Sequence, residues 1–484
     1  MEGTACFPLR LNFPVMGVDT RIVERECRPY AYLRAVAGRS HPVLLESSLP
    51  GGAFGRWSLL CWDPLLKATC LPDVVRFQDF RSGREWTEEG EPFRALGREF
   101  DDQRVDPGPD FRLPFAGGAV GYFSYDLRHR IERLPRSCDY DLDIPYYVLC
   151  FYEGGLVFDH AEDVTSWVGP EGVEPDLPES VQAQDIPQVE PAELRSNFTR
   201  HEYLAAVRRA REYIAAGDIF QVNLSQRFSA PCPTAGIDVY GRLRRMNPAP
   251  FSAYLRYPGF EIMSSSPERF LLVEGDRVST RPIKGTRARR VGDDAFNERM
   301  RRELEASVKD HAELAMIVDL ERNDLGRVCD YGTVRVREHA VTEAYQTVFH
   351  LVSTVTGRLH RPAHDEFSLI RASFPGGSIT GAPKIRAMEI IEELEPHARN
   401  VYTGSIGYIS FHGRMDLNIV IRTLVKCGGR VYGQFGGGIV ADSDPALEYE
   451  ETIHKGRALF ETLNATNLDE ILGASSHGAR VPER

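Results

Sequence analysis

Short apolar runs separated by glycine and proline fill the first third of the chain. Residues 42–45, 57–60, 117–125 and 146–152 are such runs, with turn chemistry at Pro50-Gly51-Gly52 and Glu153-Gly154-Gly155. They predict strands of a mixed or antiparallel layer. From 161 to 197 the pattern changes. Pro170, Pro175, Pro178, Pro187 and Pro191 interrupt a polar, acidic stretch, which reads as a surface linker. Beyond it, Tyr203, Ala206, Ala210 and Tyr213 share one side of a helix over 203–216 that Gly217 would stop. Strands fit 219–228, 252–256, 261–264 and 270–273. Residues 294–324 contain neither proline nor glycine and predict one long helix, and a second helix follows Pro383 as far as Leu394. A hairpin fits 408–411 and 415–425 around His412-Gly413. Gly428-Gly429 then leads into a strand over 431–440, and a last helix fits 445–463. Strands with glycine turns, interleaved with isolated helices, predict an α+β fold rather than a regularly alternating parallel sheet. The expected partition is an N-terminal lobe over 1–160, the linker 161–197, a second body over 198–465 and a loose tail over 466–484.

Composition narrows the function classes. The chain has 484 residues, 42% hydrophobic and 26% charged, which is ordinary for a globular protein with a large core. No apolar run approaches the roughly 18 residues of a membrane span, so no membrane segment is expected. A net charge of -12 argues against a nucleic-acid groove, yet a few local arginines could still hold a small anion. Nine cysteines without a CxxC pair argue against a disulfide framework or zinc knuckle and favour a reducing, cytoplasmic setting.

Candidate chemistry lies in the second body. Asp310 and Glu313, and separately Glu448 and Glu451, stand three apart and so share a helical face. Facing one another across a cleft, they would offer the hard oxygens that suit Mg²⁺; on composition alone, solvated acidic faces are the commoner reading. Alternation over 415–423 puts Asp416, Asn418 and Arg422 on one face of a strand, where arginine could orient a carboxylate or the row could simply be wet. The glycine turns Pro375-Gly376-Gly377-Ser378, Thr380-Gly381-Ala382-Pro383 and Gly436-Gly437-Gly438 could bring backbone amides to an anion or merely turn sharply. None is a dinucleotide or Walker fingerprint. Lys284, between Arg281 and Arg287, would need a depressed pKa to act as a nucleophile. Glu268 could be an acid or base or pair with Arg269, and His350 in an apolar segment usually means a satisfied core histidine.

Ordered motifs then carry a specific resemblance. GDIFQVNLSQRF from Gly217, SSSPERF from Ser264, RPIKGTR from Arg281, KDHAELAMIVDLERNDLGR from Lys309, FPGGSITGAPK from Phe374, MDLNIVIRTL from Met415 and FGGGIVADSDPALEYEETIHK from Phe435 resemble the chorismate-utilising enzymes over nearly the whole chain. The resemblance implies a large antiparallel-sheet α/β sandwich with an intimately packed N-terminal lobe. Within that family, lysine at Lys284 resembles the aminodeoxychorismate synthases, in which it attacks C2 of chorismate before ammonia enters at C4. Anthranilate formation is the alternative. Gln221 stands where water-using members carry a lysine base. By the same resemblance Glu268 is the general acid and His350 lies near the C4 hydroxyl. Glu313 and Glu451 are the principal Mg²⁺ carboxylates, with Asp310 and Glu448 beside them. Thr286, Thr380, Tyr402, Arg422, Gly436, Gly437, Gly438 and Lys455 would contact substrate. Glu46, Ser47, Asn247, Pro248 and Phe251 match parts of a tryptophan pocket. A separate glutamine amidotransferase subunit would supply ammonia.

Overall fold

The computed structural model describes residues 17–473 apart from 50–53, 179–180, 183–184, 186–187 and 346–347. The turn expected at Pro50-Gly51-Gly52 and most of the expected tail lie outside the described residues. The first residues of that tail form a short helix, Leu468–Gly473.

Two 12-stranded antiparallel sheets build the molecule. In the first, Val43–Glu46 from the N-terminal part pairs with Phe251–Tyr257, placing Leu44 opposite Tyr254. In the second, Gly118–Phe123 pairs with Ser405–Ser410, placing Gly121 opposite Gly407. Both glycines are required by close backbone approach. A Cβ on Gly121 would lie 1.9 Å from the Val148 carbonyl oxygen, and one on Gly407 2.0 Å from that of Asp416. Each sheet therefore runs without a break from early strands into late ones. Val43, Leu59, Tyr122, Val148, Leu255, Ile262 and Val425 pack between the two sheets as one apolar layer. Helices cover the outer faces. Arg200–Ala215 begins at a capping box between Thr199 and Glu202 and buries Tyr203, Ala206, Val207 and Ala210, the spacing of one helical stripe.

Three expectations change. Val164–Pro170, expected within the linker, is a strand between Val18–Glu24 and Gly155–Asp159. Its proline falls at the last residue, where a missing N–H costs the ladder least. The long helix expected over 294–324 is two helices, Asp294–Glu305 and Val308–Gly326. Ser307, extended between them, accepts the Asp310 amide at 3.2 Å and starts the second as an N-cap. The strand expected over 415–425 is likewise two, Met415–Asn418 in the second sheet and Thr423–Cys427 in the first. Ile419 to Arg422 crosses between the sheets, and Arg422 takes a left-handed φ of 49°. Asp416 and Arg422 consequently do not share a row: Asp416 grips Arg269 through two bonds of 2.9 and 2.8 Å.

Among the described residues no helix is long and apolar enough to cross a membrane, and all the cysteines are free thiols. Burial holds the imidazoles of His41, His129, His350 and His412 down at about 4. Unfolding returns them to about 6.5, so below that pH the unfolded chain binds more protons than the folded one. Stability should be undiminished by these groups above pH 6.5 and fall as pH drops towards 4. Each excess proton steepens the loss by roughly 1.4 kcal/mol per pH unit. Melting temperature measured between pH 7.5 and 4.5 checks this; a flat profile would contradict the neutral, buried state of these rings.

Candidate active site

A second crossing lies beside the first. Phe260–Ser266 belongs to the first sheet and Arg269–Glu274 to the second, so Pro267 and Glu268 span the gap. The two crossings are tied together. The Ile419 amide donates to the Glu268 carbonyl at 3.0 Å, and the Ser265 amide donates to the Arg422 carbonyl at 3.1 Å. A carboxyl and a guanidinium that are far apart in sequence are thereby fixed on one wall.

That wall bounds a cavity of about 570 Å³. Glu268, Lys284, Thr286, His350, Tyr402, Arg422, Gly436 and Lys455 line it, as do Asp310, Glu313, Glu448 and Glu451. Gly438 lines it too, while a Cβ on neighbouring Gly437 would come within 3.0 Å of Glu448 and 3.6 Å of Glu451. Thr380 is placed differently. Its hydroxyl donates to the Gly376 carbonyl at 2.9 Å, bracing the turn behind the cavity.

Glu268 is 6% exposed and accepts a 2.9 Å bond from the Ser378 hydroxyl. Burial pushes its carboxyl up against the opposing pull of that hydroxyl and of Lys284. The Lys284 Nζ lies 3.4 Å from the Ser378 carbonyl oxygen and 4.0 Å from Glu313. Gly285 follows at φ 69°, with Asp310 Cγ only 2.9 Å from where a Cβ would stand, so a side chain here would collide with the helix start. The bend this allows lets Lys284 and Thr286 flank the cavity. Thr286 Oγ1 meets His350 Nδ1 at 3.0 Å. Burial, then Arg422, keep His350 uncharged near neutrality, where it can exchange hydrogen bonds but carries no positive charge.

Arg422 makes no ion pair among the described residues, and burial pushes its guanidinium pKa down. A desolvated guanidinium facing a cavity is a site for a bidentate carboxylate.

The acidic pairs face each other from the first two turns of Val308–Gly326 and Pro445–Thr462. Burial pushes the carboxyls of Glu313 and Glu448 up, and the Ser443 hydroxyl donates to Glu448 at 2.6 Å. Protein walls also oppose the charge of Glu451, which lies at the rim, but Lys455 at 2.6 Å prevails and holds it below the usual range. Lys455 also reaches the Gly436 carbonyl at 2.9 Å. Asp310 pairs with Arg287 at 3.2 Å. Among the described residues no three acidic, histidine or cysteine groups converge tightly enough to form a metal cage by themselves. Two facing carboxylate pairs still fit an ion that takes one or two protein carboxylates, with water and substrate completing its shell.

Sequence reasoning gave no role to the side chains of Ser378, Lys309 and Asn223, all of which line the cavity, although it had offered the turn ending at Ser378 for its backbone amides. The signal for Asn223 was available in the polar alternation Gln221, Asn223, Ser225 on Gln221–Pro231, opposite the glycines of Arg430–Ile439. The second group of candidates lies apart from the cavity walls. Glu46 takes a hydrogen bond from Tyr240 at 2.7 Å and pairs with Arg244; Ser47 donates to carbonyls including that of Pro250. Asn247 reaches the Ser265 hydroxyl at 3.3 Å, and the Phe251 carbonyl accepts from Asn418. Pro248 stands between them in sequence.

Stacked antiparallel sheets with a cavity at their crossings, lined by a buried acid and a buried arginine, define a class, and the chain belongs to the family of chorismate binding enzymes, whose model matches residues 75–461. It is 41% identical over 425 residues to aminodeoxychorismate synthase component 1 of Salmonella typhimurium, covering 87% of this chain and 92% of that one. It is 43% identical over 459 residues to anthranilate synthase component 1 of Thermus thermophilus, covering 92% and 96%. The crystal structure of anthranilate synthase component I from Streptococcus pneumoniae superposes with a TM-score of 0.72 at 31% identity, covering 85% of this chain and 93% of that one.

Proposed function

We propose that this cavity converts chorismate and ammonia to 4-amino-4-deoxychorismate. The observation that carries the reading is Lys284, an amine on the wall of the same cavity as the buried acid Glu268. Overall identity does not choose the product, since relatives of both kinds match equally well. The residues must choose it.

In the proposed course, Arg422 and the Gly436–Gly438 backbone orient the substrate carboxylates. The Lys284 amine attacks C2; the ring double bonds shift and the C4–O bond breaks as Glu268 delivers its proton, releasing water. Ammonia then bonds to C4, the double bonds return, and Lys284 leaves as the free amine. Dividing one hard substitution into two easier ones is what a covalent nucleophile contributes. His350 and Thr286, bonded to each other, would position the C4 hydroxyl. Glu313 and Glu451, with Asp310 and Glu448 beside them, would hold Mg²⁺. When bound, that ion would offset the charge of the ring carboxylate among so many acids. A separate glutamine amidotransferase subunit is the proposed ammonia source, in a cytoplasm that keeps the thiols reduced.

Conversion to anthranilate is the second reading, favoured by the partial match of Glu46, Ser47, Asn247, Pro248 and Phe251 to a tryptophan pocket and opposed by Lys284. Mass-resolved product analysis with chorismate, Mg²⁺ and ammonium decides. Aminodeoxychorismate is expected, identified by its conversion to 4-aminobenzoate with an added lyase; anthranilate as the main product would overturn the proposal.

A further inference from the structure

One residue touches both reacting groups of the proposed chemistry. Ser378 is 6% exposed and lines the cavity with Glu268 and Lys284. Its hydroxyl donates to Glu268 Oε1 at 2.9 Å, and its carbonyl oxygen accepts from Lys284 Nζ at 3.4 Å.

The turn that carries Ser378 is braced on every side. Thr380 closes it from within by donating to the Gly376 carbonyl at 2.9 Å, and the buried Arg399 guanidinium donates to the Ile379 carbonyl at 3.0 Å. Arg399 is held in turn by Glu395 at 2.9 Å, and it also donates to the Asn223 carbonyl at 2.7 Å. The turn is thereby tied to Gln221–Pro231, another wall of the cavity. Side chains press on its glycines as well. A Cβ on Gly377 would meet Leu320 at 2.6 Å, and one on Gly376 would meet Ile419 at 2.8 Å.

A neutral carboxyl whose one oxygen accepts from a hydroxyl keeps its proton on the other. Ser378 is the only side chain among the described residues that donates to the Glu268 carboxyl, and the Ile283 amide also pulls on it. The charged groups around that carboxyl come from separate elements. Lys284 lies on Ile283–Ala288, Lys455 on Pro445–Thr462 and Glu321 on Val308–Gly326. Adjacent Arg269 is taken up by Asp416, and Arg422 stands on the neighbouring crossing.

We infer that Ser378 is a positioning residue that directs the Glu268 proton onto Oε2 and holds the acid and the Lys284 amine to one braced turn, so that attack at C2 and protonation of the departing C4 oxygen share a fixed frame. Ser378 itself forms no bond to the reacting atoms. The inference rests on Glu268 being the acid of the proposed reaction; loss of the C4 hydroxyl needs that proton whichever product forms.

The test is Ser378→Ala, which removes the hydroxyl and keeps the carbonyl. Chorismate consumption would be followed against pH. The maximal kcat should fall about tenfold or more, roughly the worth of one hydrogen bond to a carboxyl, with KM little changed. The alkaline limb should move to higher pH by about half a unit or more, because a donor favours the charged form and its removal makes the proton harder to lose. Ser378→Thr, which keeps the hydroxyl, should recover both. A lower Tm with loss at every pH and an unmoved limb would make Ser378 structural and overturn the inference, as would a limb moved to lower pH. A second readout needs no turnover. Infrared titration of the free protein should place the carboxylic C=O band of Glu268, identified by its absence in Glu268→Gln, at higher frequency in Ser378→Ala than in the wild type. An unshifted band would also overturn the inference. If the band shifts while the wild type consumes no chorismate, the positioning stands and the proposed reaction fails.

Discussion

Replacing Lys284 by alanine is expected to abolish aminodeoxychorismate formation, by about three orders of magnitude or more in kcat/KM, while the protein folds and melts normally. The fold should survive because Lys284 contributes little to it: its contacts are the Ser378 carbonyl at 3.4 Å and Glu313 at 4.0 Å, both long and both at the cavity wall. Gly285, the position that shapes the bend, stays in place. The effect on chemistry should be large because no other amine is placed equivalently. Lys455 is held by Glu451 and the Gly436 carbonyl, and Lys309 lies 3.9 Å from Glu313. Product analysis in ammonium distinguishes the outcomes. Unimpaired aminodeoxychorismate would remove Lys284 from the reaction. Appearance of anthranilate would show that ammonia reaches C2 once the lysine is gone, with the cavity otherwise intact.

Glu268→Gln should cost about 10²- to 10⁴-fold in kcat, the usual worth of a positioned general acid, with chorismate binding retained. Glutamine fills the same volume and still accepts from the Ser378 hydroxyl, so the wall keeps its form. It removes the proton that burial keeps on the carboxyl at higher pH than a free glutamate would hold it. The sign follows from that shift. The active form is the protonated one, so wild-type activity falls as pH rises through the elevated pKa, and the variant should lose this alkaline limb altogether. Turnover against pH, with chorismate affinity measured separately by equilibrium binding, checks both parts. A loss smaller than about threefold would mean that another group protonates the departing hydroxyl.

How much of this was readable beforehand differs by feature. The strands expected at 117–125, 146–152 and 431–440 and the helices expected over 203–216 and 445–463 follow from local pattern, and the structure has each within a few residues of those bounds. The acidic pairs were legible because a three-residue spacing on a helix is a local fact. The crossings were not. A strand that leaves one sheet and enters the other looks continuous in an alternating sequence, and only partners far along the chain reveal the break at Ile419 to Arg422. Ser307 was overlooked for a related reason: a serine inside a proline-free stretch is a weak cap signal, and tertiary packing decides whether it ends a helix. Glu321, on the helix Val308–Gly326, could be read only as one more charge on a polar helix; it is buried, and that burial is a property of what covers it.

The unbroken passage of both sheets from early strands into late ones limits how the chain could be engineered. A graft that exchanged the first 160 residues would cut the pairing of Leu44 with Tyr254 and of Gly121 with Gly407, opening two raw edges at once. Chimeras are better made at the perimeter, where Val18–Glu24 and Glu85–Glu89 already end their sheets and an appended module would disturb no ladder.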